Sequence, residues 1–523
     1  MRPPKTPGSG SGRPPEGRKP SGPRPPARGP GASAAGGAEG PRPARAGKPS
    51  GDKPFRPSGE GRPRRDDRPA GGPGRGGFAG HARPRAQGQV GLAARQLAVD
   101  LVATVQKGKL LDQLLDTGKL ADRYQLLDPR DRGLVRAIVG ITLRHHGQIT
   151  DAIGRFLERP LPDDAGILKP AMAVAAAQVL FMDIADHAAV ALGVEVVDAD
   201  KGARPFKGLV NAVLRRIAGA KELILAEQDA PALNTPAWMM ERWTATYGAE
   251  TARGIAEMQM VDPSIDLTVK SEPAAWAERL GGTVLPNGTV RIPTQGAIEK
   301  LAGYDEGAWW VQDAAATFPV RLLGDVKGKK VADLCAAPGG KTALLAHLGA
   351  TVTAVDVSGY RLARLQRNLF RLGLKADVLT ADITEWLAGP FDMILLDAPC
   401  TATGTLRRHP DGLFAKGQGD VAALAGLQRK LIDQAIRSLK PGGLFVYSTC
   451  SLEPEEGPDQ IRRLMLIDAP VERVPVTADE VAGLAEIVTP EGDIRTLPTH
   501  LPHADPRLSG LDGFYAARLR RKV

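Results

Sequence analysis

The spacing of apolar residues changes along this chain, and each change marks a different kind of structure. From residue 91 the apolar positions recur at helical intervals, with Leu97, Leu101, Val102 and Val105 on one face. Asp128-Pro129 reads as an N-cap followed by proline at the first helical position. The helix it opens sets Leu134, Ile138 and Ile141 on one side and Arg132 and Arg136 on the other. The alanine-rich run from Met172 to Met182 predicts a helix buried in a bundle, and Phe206 to Arg216 a further amphipathic helix. Residues 91–230 are therefore expected to form an all-α domain.

Between 231 and 325 the pattern is mixed. Trp238, Arg242, Trp243 and Tyr247 fall at roughly helical spacing before Gly248, an aromatic stripe that suits a core better than a base-stacking platform. Strand-like runs follow at Asp266 to Val269 and Thr289 to Ile292, which predicts a small α+β connecting domain. From 326 to 523 apolar strands alternate with helices. The strands are expected at Val331 to Leu334, Thr351 to Val355, Val378 to Leu379, Met393 to Leu396 and Leu444 to Tyr447. The helices between them are expected near Thr342 to His347, Arg361 to Leu372 and Ala423 to Leu439. Such alternation argues for a parallel, doubly wound α/β sheet, whose ligands bind beyond the carboxyl ends of the strands.

Residues 1–88 carry neither period. Gly and Pro make up 40 of the first 90 residues, so this stretch is expected to be a disordered tail that cannot bury enough surface to offset its entropy. It also changes the meaning of the net charge of +10. The first 90 residues hold 19 Lys or Arg against 6 Asp or Glu, whereas the remaining 433 hold 50 against 53. The excess does not mark the folded part as a basic nucleic-acid-binding body. The tail itself is either a basic arm that finds RNA electrostatically or a solubilising linker. Arg132, Arg136, Arg215 and Arg216 are candidates for local phosphate contacts in a helical block that has no net charge.

Three cysteines without a C-x-x-C spacing argue against a disulfide framework and against a cysteine zinc site, so no metal is expected and a reducing cytoplasm fits. No run of about 18 apolar residues occurs, so no membrane span is expected. The N-terminus lacks the apolar core of a secretory signal, and its Gly and Pro density is at odds with the amphipathic helix of a transit peptide.

The strand ends carry the candidate chemistry. The first leads into Asp333-Leu-Cys-Ala-Ala-Pro-Gly-Gly-Lys-Thr342, a glycine turn opening a helix, where backbone N–H groups can meet an anionic ligand. A phosphate-binding P-loop, G-x-x-x-x-G-K followed by Ser or Thr, matches at Gly340, Lys341 and Thr342. It would need glycine at 335, which is cysteine. Asp356 ends the second strand 17 residues after Gly339, as suits an acid that reaches ribose hydroxyls, and Asp382 follows the third where an adenine edge would lie. Cys335 follows the first strand, Cys400 the fourth in Asp397-Ala-Pro-Cys400, and Cys450 the fifth in Ser448-Thr-Cys-Ser451. A thiolate there is a nucleophile, although Cys335 alone also reads as a packed small hydrophobe. Two cysteines, an acid and an adenosyl cofactor suit methylation of a pyrimidine at carbon 5. That carbon becomes nucleophilic only after a thiolate adds at carbon 6.

These residues resemble the Sun-type RNA cytosine-C5 methyltransferases, nearest to the branch that acts on bacterial small-subunit (16S) rRNA. The matching strings are CAAPGGKT from Cys335, DAPCTATGTLRRHPD from Asp397, LKPGG from Leu439 and YSTCS from Tyr447. WWVQDAAA from Trp309 and DGFYAARL from Asp512 give weaker support, and GLVNAVLRR from Gly208 is similar to a NusB-like helical RNA-binding domain. The resemblance covers roughly 91–523 and implies a Rossmann-like class I methyltransferase domain over 326–523. It further implies that Cys335, Ala336, Ala337, Pro338, Gly339, Gly340 and Lys341 wrap the methionine part of S-adenosylmethionine, that Asp356 holds the ribose, and that Asp382 meets the adenine. Asp397 would lie by the methyl donor and the target base, with Cys450 as nucleophile and Cys400 assisting product release. The sequence departs from the family at Glu456-Gly457-Pro458, where asparagine is expected after the acidic pair, a position read as lying past the chemistry.

The same residues would serve tRNA or large-subunit rRNA equally well. A nucleoside triphosphatase, which would bind ATP with magnesium, and a non-catalytic RNA-binding factor are the readings from other classes. If the tail is an RNA arm, deleting residues 1–88 should weaken RNA binding and flatten its dependence on salt while leaving the modified nucleotide unchanged. Filter binding across a salt series, with mapping of the modified base, tests this. A moved site would show that the tail selects the target.

Overall fold

The computed structural model describes residues 91–293, 296–386 and 388–523, and the expected basic tail lies outside them. The helical region begins at Leu92–Val105, whose apolar face is buried as the spacing predicts. Asp128 caps Pro129–Arg144 by accepting the Asp131 N–H at 2.8 Å, which satisfies one of the helix's free first-turn donors. At the centre lies Leu168–Phe181, buried almost all round. Its alanines allow close packing, and a Cβ at Gly193 of helix Asp186–Ala199 would fall 2.6 Å from Ala175 Cβ. Helix Lys207–Glu227 completes the bundle core with Val210, Val213, Leu214 and Ile217.

The segment 231–325 divides its packing. The helices Ala237–Tyr247 and Ala249–Met260 bury Met239, Trp243 and Ile255 against Leu406, Leu452 and Leu497 of the C-terminal region. The aromatic stripe is thus core. Four antiparallel strands, β1 (Ile265–Val269), β2 (Thr283–Val284), β3 (Val290–Ile292) and β4 (Trp309–Val311), form a sheet in the order β2-β3-β1-β4. It encloses its own cluster of Leu267, Val290, Ile292 and Trp309.

The C-terminal region holds an eight-stranded sheet. Its strands are β5 (Lys330–Leu334), β6 (Thr351–Asp356), β7 (Asp377–Thr380), β8 (Phe391–Asp397), β9 (Leu439–Thr449), β10 (Val471–Arg473), β11 (Ile494–Arg495) and β12 (Tyr515–Arg521). They run in the order β10-β12-β9-β8-β5-β6-β7, with β11 beside β12. The five predicted strands, β5 to β9, pair in parallel, whereas β12 runs antiparallel to β9 and carries β10 and β11. Alternation along β8 sends Met393 and Leu395 to one face and Ile394 and Leu396 to the other. Both faces are buried, so the strand reads as an unbroken apolar run. The chain winds outward from β5 through β6 to β7, then returns to β8 on the other side of β5. That reversal opens a crevice beyond the carboxyl ends of β5 and β8.

The helical region meets the rest along a seam built on the segment after Cys400. Arg144, buried at the end of its helix, donates to the backbone oxygens of Gln259 at 2.9 Å and Arg407 at 2.8 Å and pairs with Asp262 at 3.0 Å. The Leu111 N–H donates to Asp411 Oδ2 at 2.9 Å, and Phe414 packs on the helical core, edge-on to His146. Among the described residues no helix is long and apolar enough to cross a membrane. Arg144→Ala should cost about 1–3 kcal/mol, because it strands two buried carbonyls. Urea denaturation reads this directly, and an unchanged midpoint would show that the seam holds without it.

Candidate active site

The glycine turn is built from the end of β5 outward. Cys335 takes a left-handed backbone conformation (φ 62°), which swings the chain out of the strand. The Ala336 N–H then donates to Val355 O at 3.0 Å, and the Ala337 N–H to Asp356 Oδ2 at 3.2 Å. Gly339 (φ 105°) starts the helix Gly340–His347, and a Cβ there would lie 2.6 Å from Leu365 of helix Gly359–Arg371. Only glycine allows both the left-handed turn and that approach. The first N–H groups of the helix, from Gly340 onward, have no partner within it.

Asp356 is almost fully buried and anchors this turn. Its Oδ1 accepts the Ser358 N–H at 2.9 Å, while Arg361 lies 3.5 Å from Oδ2 and donates to the Ala337 carbonyl. The Ala381 N–H donates to Asp356 O at 3.1 Å, which brings the end of β7, and Asp382 two residues beyond it, to the same rim. Asp382 is exposed, and its Oδ1 takes the Thr384 hydroxyl at 2.7 Å and N–H at 2.8 Å; those bonds hold its carboxyl below the ordinary value.

On the other side of the switch point, Cys400 and Cys450 leave the ends of β8 and β9 with their sulfurs 3.5 Å apart. The hydrogen bond to Cys450 and burial push the Cys400 thiol well above its usual range, so Cys400 keeps its proton. Asp397, at the end of β8, accepts from Lys341 Nζ at 2.8 Å through Oδ2 and from the Ser448 hydroxyl at 3.1 Å through Oδ1. Burial works against the Lys341 ammonium, but Asp397 and then Cys450 outweigh it and raise its pKa. Lys341 also lies 4.9 Å from the centre of the Phe514 ring. The side chain that completes the P-loop-like string is therefore tied to the sulfur side of the crevice.

Cys335 does not join the pair. It packs against the apolar cluster containing Leu334 and Leu396, and burial, with Asp356 next, pushes its thiol far up. Among the described residues no group of three or more His, Cys, Asp or Glu side chains is placed to hold a metal ion.

Sequence reasoning missed four residues that shape the site: Asp333, Arg407, Arg408 and Glu456. Asp333 is fully buried. Its Oδ2 accepts the Thr342 hydroxyl at 2.6 Å, while Oδ1 has no partner, and burial pushes the carboxyl up to about 7. Arg407 and Arg408 bind Asp313 and Asp512 in a buried ionic cluster beside the Cys400 loop. Glu456, expected to lie past the chemistry, instead sits fully buried between the two cysteine loops. The visible signal was charge inside strings that otherwise fold inward: the acid of strand one, the double arginine of TLRRHPD, and the acidic pair after YSTCS.

Residues 320–520 match the family described as 16S rRNA methyltransferase RsmB/F, and residues 92–219 match the NusB family. The ribosomal RNA small subunit methyltransferase B of Cronobacter sakazakii is 35% identical over 393 residues, 71% of this chain and 89% of that protein. Its namesake in Escherichia fergusonii is 34% identical over 449 residues, covering 82% of this chain and 98% of that one. The chain belongs to the ribosomal RNA small subunit methyltransferase B family. The crystal structure of PH0851 shares the fold at TM-score 0.64 and 22% identity, over 82% of this chain and 99% of that one. The NusB-like helical region and the Rossmann-like methyltransferase region both agree with the sequence reading.

Asp333 makes stability depend on pH. The folded protein holds this proton up to about pH 7, whereas an unfolded chain releases it near 3.8, so stability falls as pH rises through that window. Asp333→Asn, which keeps the acceptor for Thr342, should remove the slope and stabilise the protein more at about pH 8 than at about pH 5. Urea denaturation at the two pH values decides. Equal gains would show that Asp333 ionises normally.

Proposed function

We propose that this protein transfers a methyl group from S-adenosylmethionine to carbon 5 of a cytosine in RNA, with 16S rRNA in the cytoplasm as the substrate. The observation that carries the reading is the pair of sulfurs, Cys400 and Cys450, 3.5 Å apart beside Asp397 and across the crevice from the glycine turn. Family membership supports an rRNA substrate, and the NusB-like region supports an RNA-docking role for the helices.

The turn fits the cofactor on its donor set. Free helix N–H groups suit a carboxylate, Asp356 at the end of β6 would meet the ribose hydroxyls, and buried Asp333 Oδ1 is a polar atom without a partner. Residues Cys335 to Lys341 would surround the methionine part and Asp382 would meet the adenine. When bound, S-adenosylmethionine supplies a methyl group on a sulfonium sulfur, open to a carbon nucleophile.

In this reading Cys450 bonds through its thiolate to carbon 6 of the cytosine, and the ring's double-bond electrons make carbon 5 nucleophilic. The addition leaves negative charge on N3; once N3 takes up a proton from solvent, the Asp397 carboxylate, oriented by Lys341 and Ser448, holds the resulting N–H. After carbon 5 is alkylated its proton passes to solvent water, the electrons of that C–H bond restore the ring double bond, and Cys450 leaves carbon 6 as a thiolate. Cys400, which keeps its own proton next to Cys450, assists that release.

Cys450→Ala should abolish methyl transfer to RNA, and full retained activity would refute the nucleophile. Cys400→Ala should instead accumulate a covalent protein–RNA adduct, visible as a slow band on a denaturing gel, because elimination stalls. Absence of that band would remove Cys400 from the release step. Bisulfite sequencing of RNA treated with the wild-type protein identifies the substrate and the cytosine.

A further inference from the structure

We propose that Glu456 is a positioning residue that sets the spacing of the two cysteine sulfurs by holding the residue after each of them, an inference that rests on the cysteine chemistry above. Thr401 follows Cys400 and Ser451 follows Cys450. The Thr401 N–H donates to Glu456 Oε1 at 3.0 Å and its hydroxyl donates to Oε2. The Ser451 hydroxyl donates to the same Oε2 at 2.6 Å. One carboxylate therefore joins two loops that leave different strands, 50 residues apart in sequence.

The residues before the cysteines are tied to the same point. Gln428 donates to Glu456 Oε1 at 3.2 Å and to Pro399 O at 2.9 Å, so the backbone ahead of Cys400 is held as well. The Thr449 hydroxyl, one residue ahead of Cys450, donates to the Glu456 carbonyl at 3.1 Å, and the Tyr447 hydroxyl donates there at 2.7 Å. Each cysteine is flanked on both sides by a residue bonded to Glu456 or to its partner Gln428, and the cysteine side chains themselves stay out of the network.

A purely structural filler would not need this charge. Burying a carboxylate costs several kcal/mol unless donors compensate it. The donors here are neutral: a backbone N–H, two hydroxyls and an amide. Burial indeed pushes the Glu456 carboxyl above its ordinary value, against the pull of Ser451 and Thr401. What the residue adds over an apolar one of equal size is a single rigid acceptor that both cysteine loops must share. A pair of sulfurs that acts in sequence on one base gains from such a link, since misplacement by about 1 Å can cost about 100-fold in rate.

The test uses the full-length protein and two independent readouts. The first is kcat and KM for RNA and for S-adenosylmethionine; the second is the rate at which diamide, a thiol oxidant, joins Cys400 to Cys450, identified by mass spectrometry of the linked peptides. Glu456→Ala should lower kcat by about 10- to 100-fold with both KM values little changed, and slow the crosslink by about tenfold. Glu456→Gln, which keeps the length and one acceptor oxygen, should recover most of both. Should Glu456→Ala fail to fold, Ser451→Ala removes one arm of the link and should still slow the crosslink. A folded Glu456→Ala or Ser451→Ala protein whose crosslinking matches wild type overturns the proposal, as does a Glu456→Ala effect confined to KM. Because crosslinking needs no methyl transfer, its outcome stands apart from the Cys450→Ala result that judges the chemistry itself.

Discussion

Two adjacent guanidinium groups, Arg407 and Arg408, tie two distant stretches of chain to the loop that carries Cys400. Arg407 is fully buried and reaches Asp512 at 2.7 Å and Asp313 at 2.9 Å, while Arg408 reaches the same two acids at 3.1 and 2.6 Å. Asp313 follows β4 of the small sheet, and Asp512 precedes β12 at the edge of the large one. Burial alone would raise the Asp313 carboxyl, but the guanidinium groups of Arg408, Arg407 and Arg291 hold it far below the ordinary range. Desolvating so many charges is expensive, and apolar replacements could match the stability. What the cluster provides is a common anchor: the loop after β8, the connector and the segment before the last strand meet at the same four side chains.

The same loop is the meeting place of the helical region. Arg144 caps the Arg407 carbonyl, the Leu111 N–H binds Asp411, and Phe414 enters the bundle core. On the opposite flank Arg242 bridges Glu453 and Glu455, and Trp243 donates to Glu453 at 3.2 Å, just beyond Cys450. Each cysteine loop is thus braced by an element outside the α/β sheet. The helices therefore contribute to the geometry of the crevice as well as to any grip on RNA.

Much of this was legible in the chain. The helical period of 91–230, the Asp128 cap and the β5 to β9 alternation all correspond to observed elements, because burial on one helix face or on both sheet faces writes a local pattern. The candidate residues were legible for a related reason: a glycine turn and strand-end acids and thiols carry chemistry in their identity. The antiparallel edge was not. β10 and β11 are too short to show a period, and β12 reads as a motif whose strand character depends on pairing with β9.

The sequence by itself determined which groups are available: three thiols, an acid series, a glycine turn and a charge excess confined to the first 90 residues. Only the tertiary structure decided which of them lie together. It brought Cys400 within 3.5 Å of Cys450 while leaving Cys335 packed in the turn, directed Lys341 to Asp397, and placed Glu456 between the cysteine loops. The reason is that identity and periodicity are local properties of a chain. The distance between two strand ends, and the burial that shifts a proton, depend on the order in which strands are laid into the sheet.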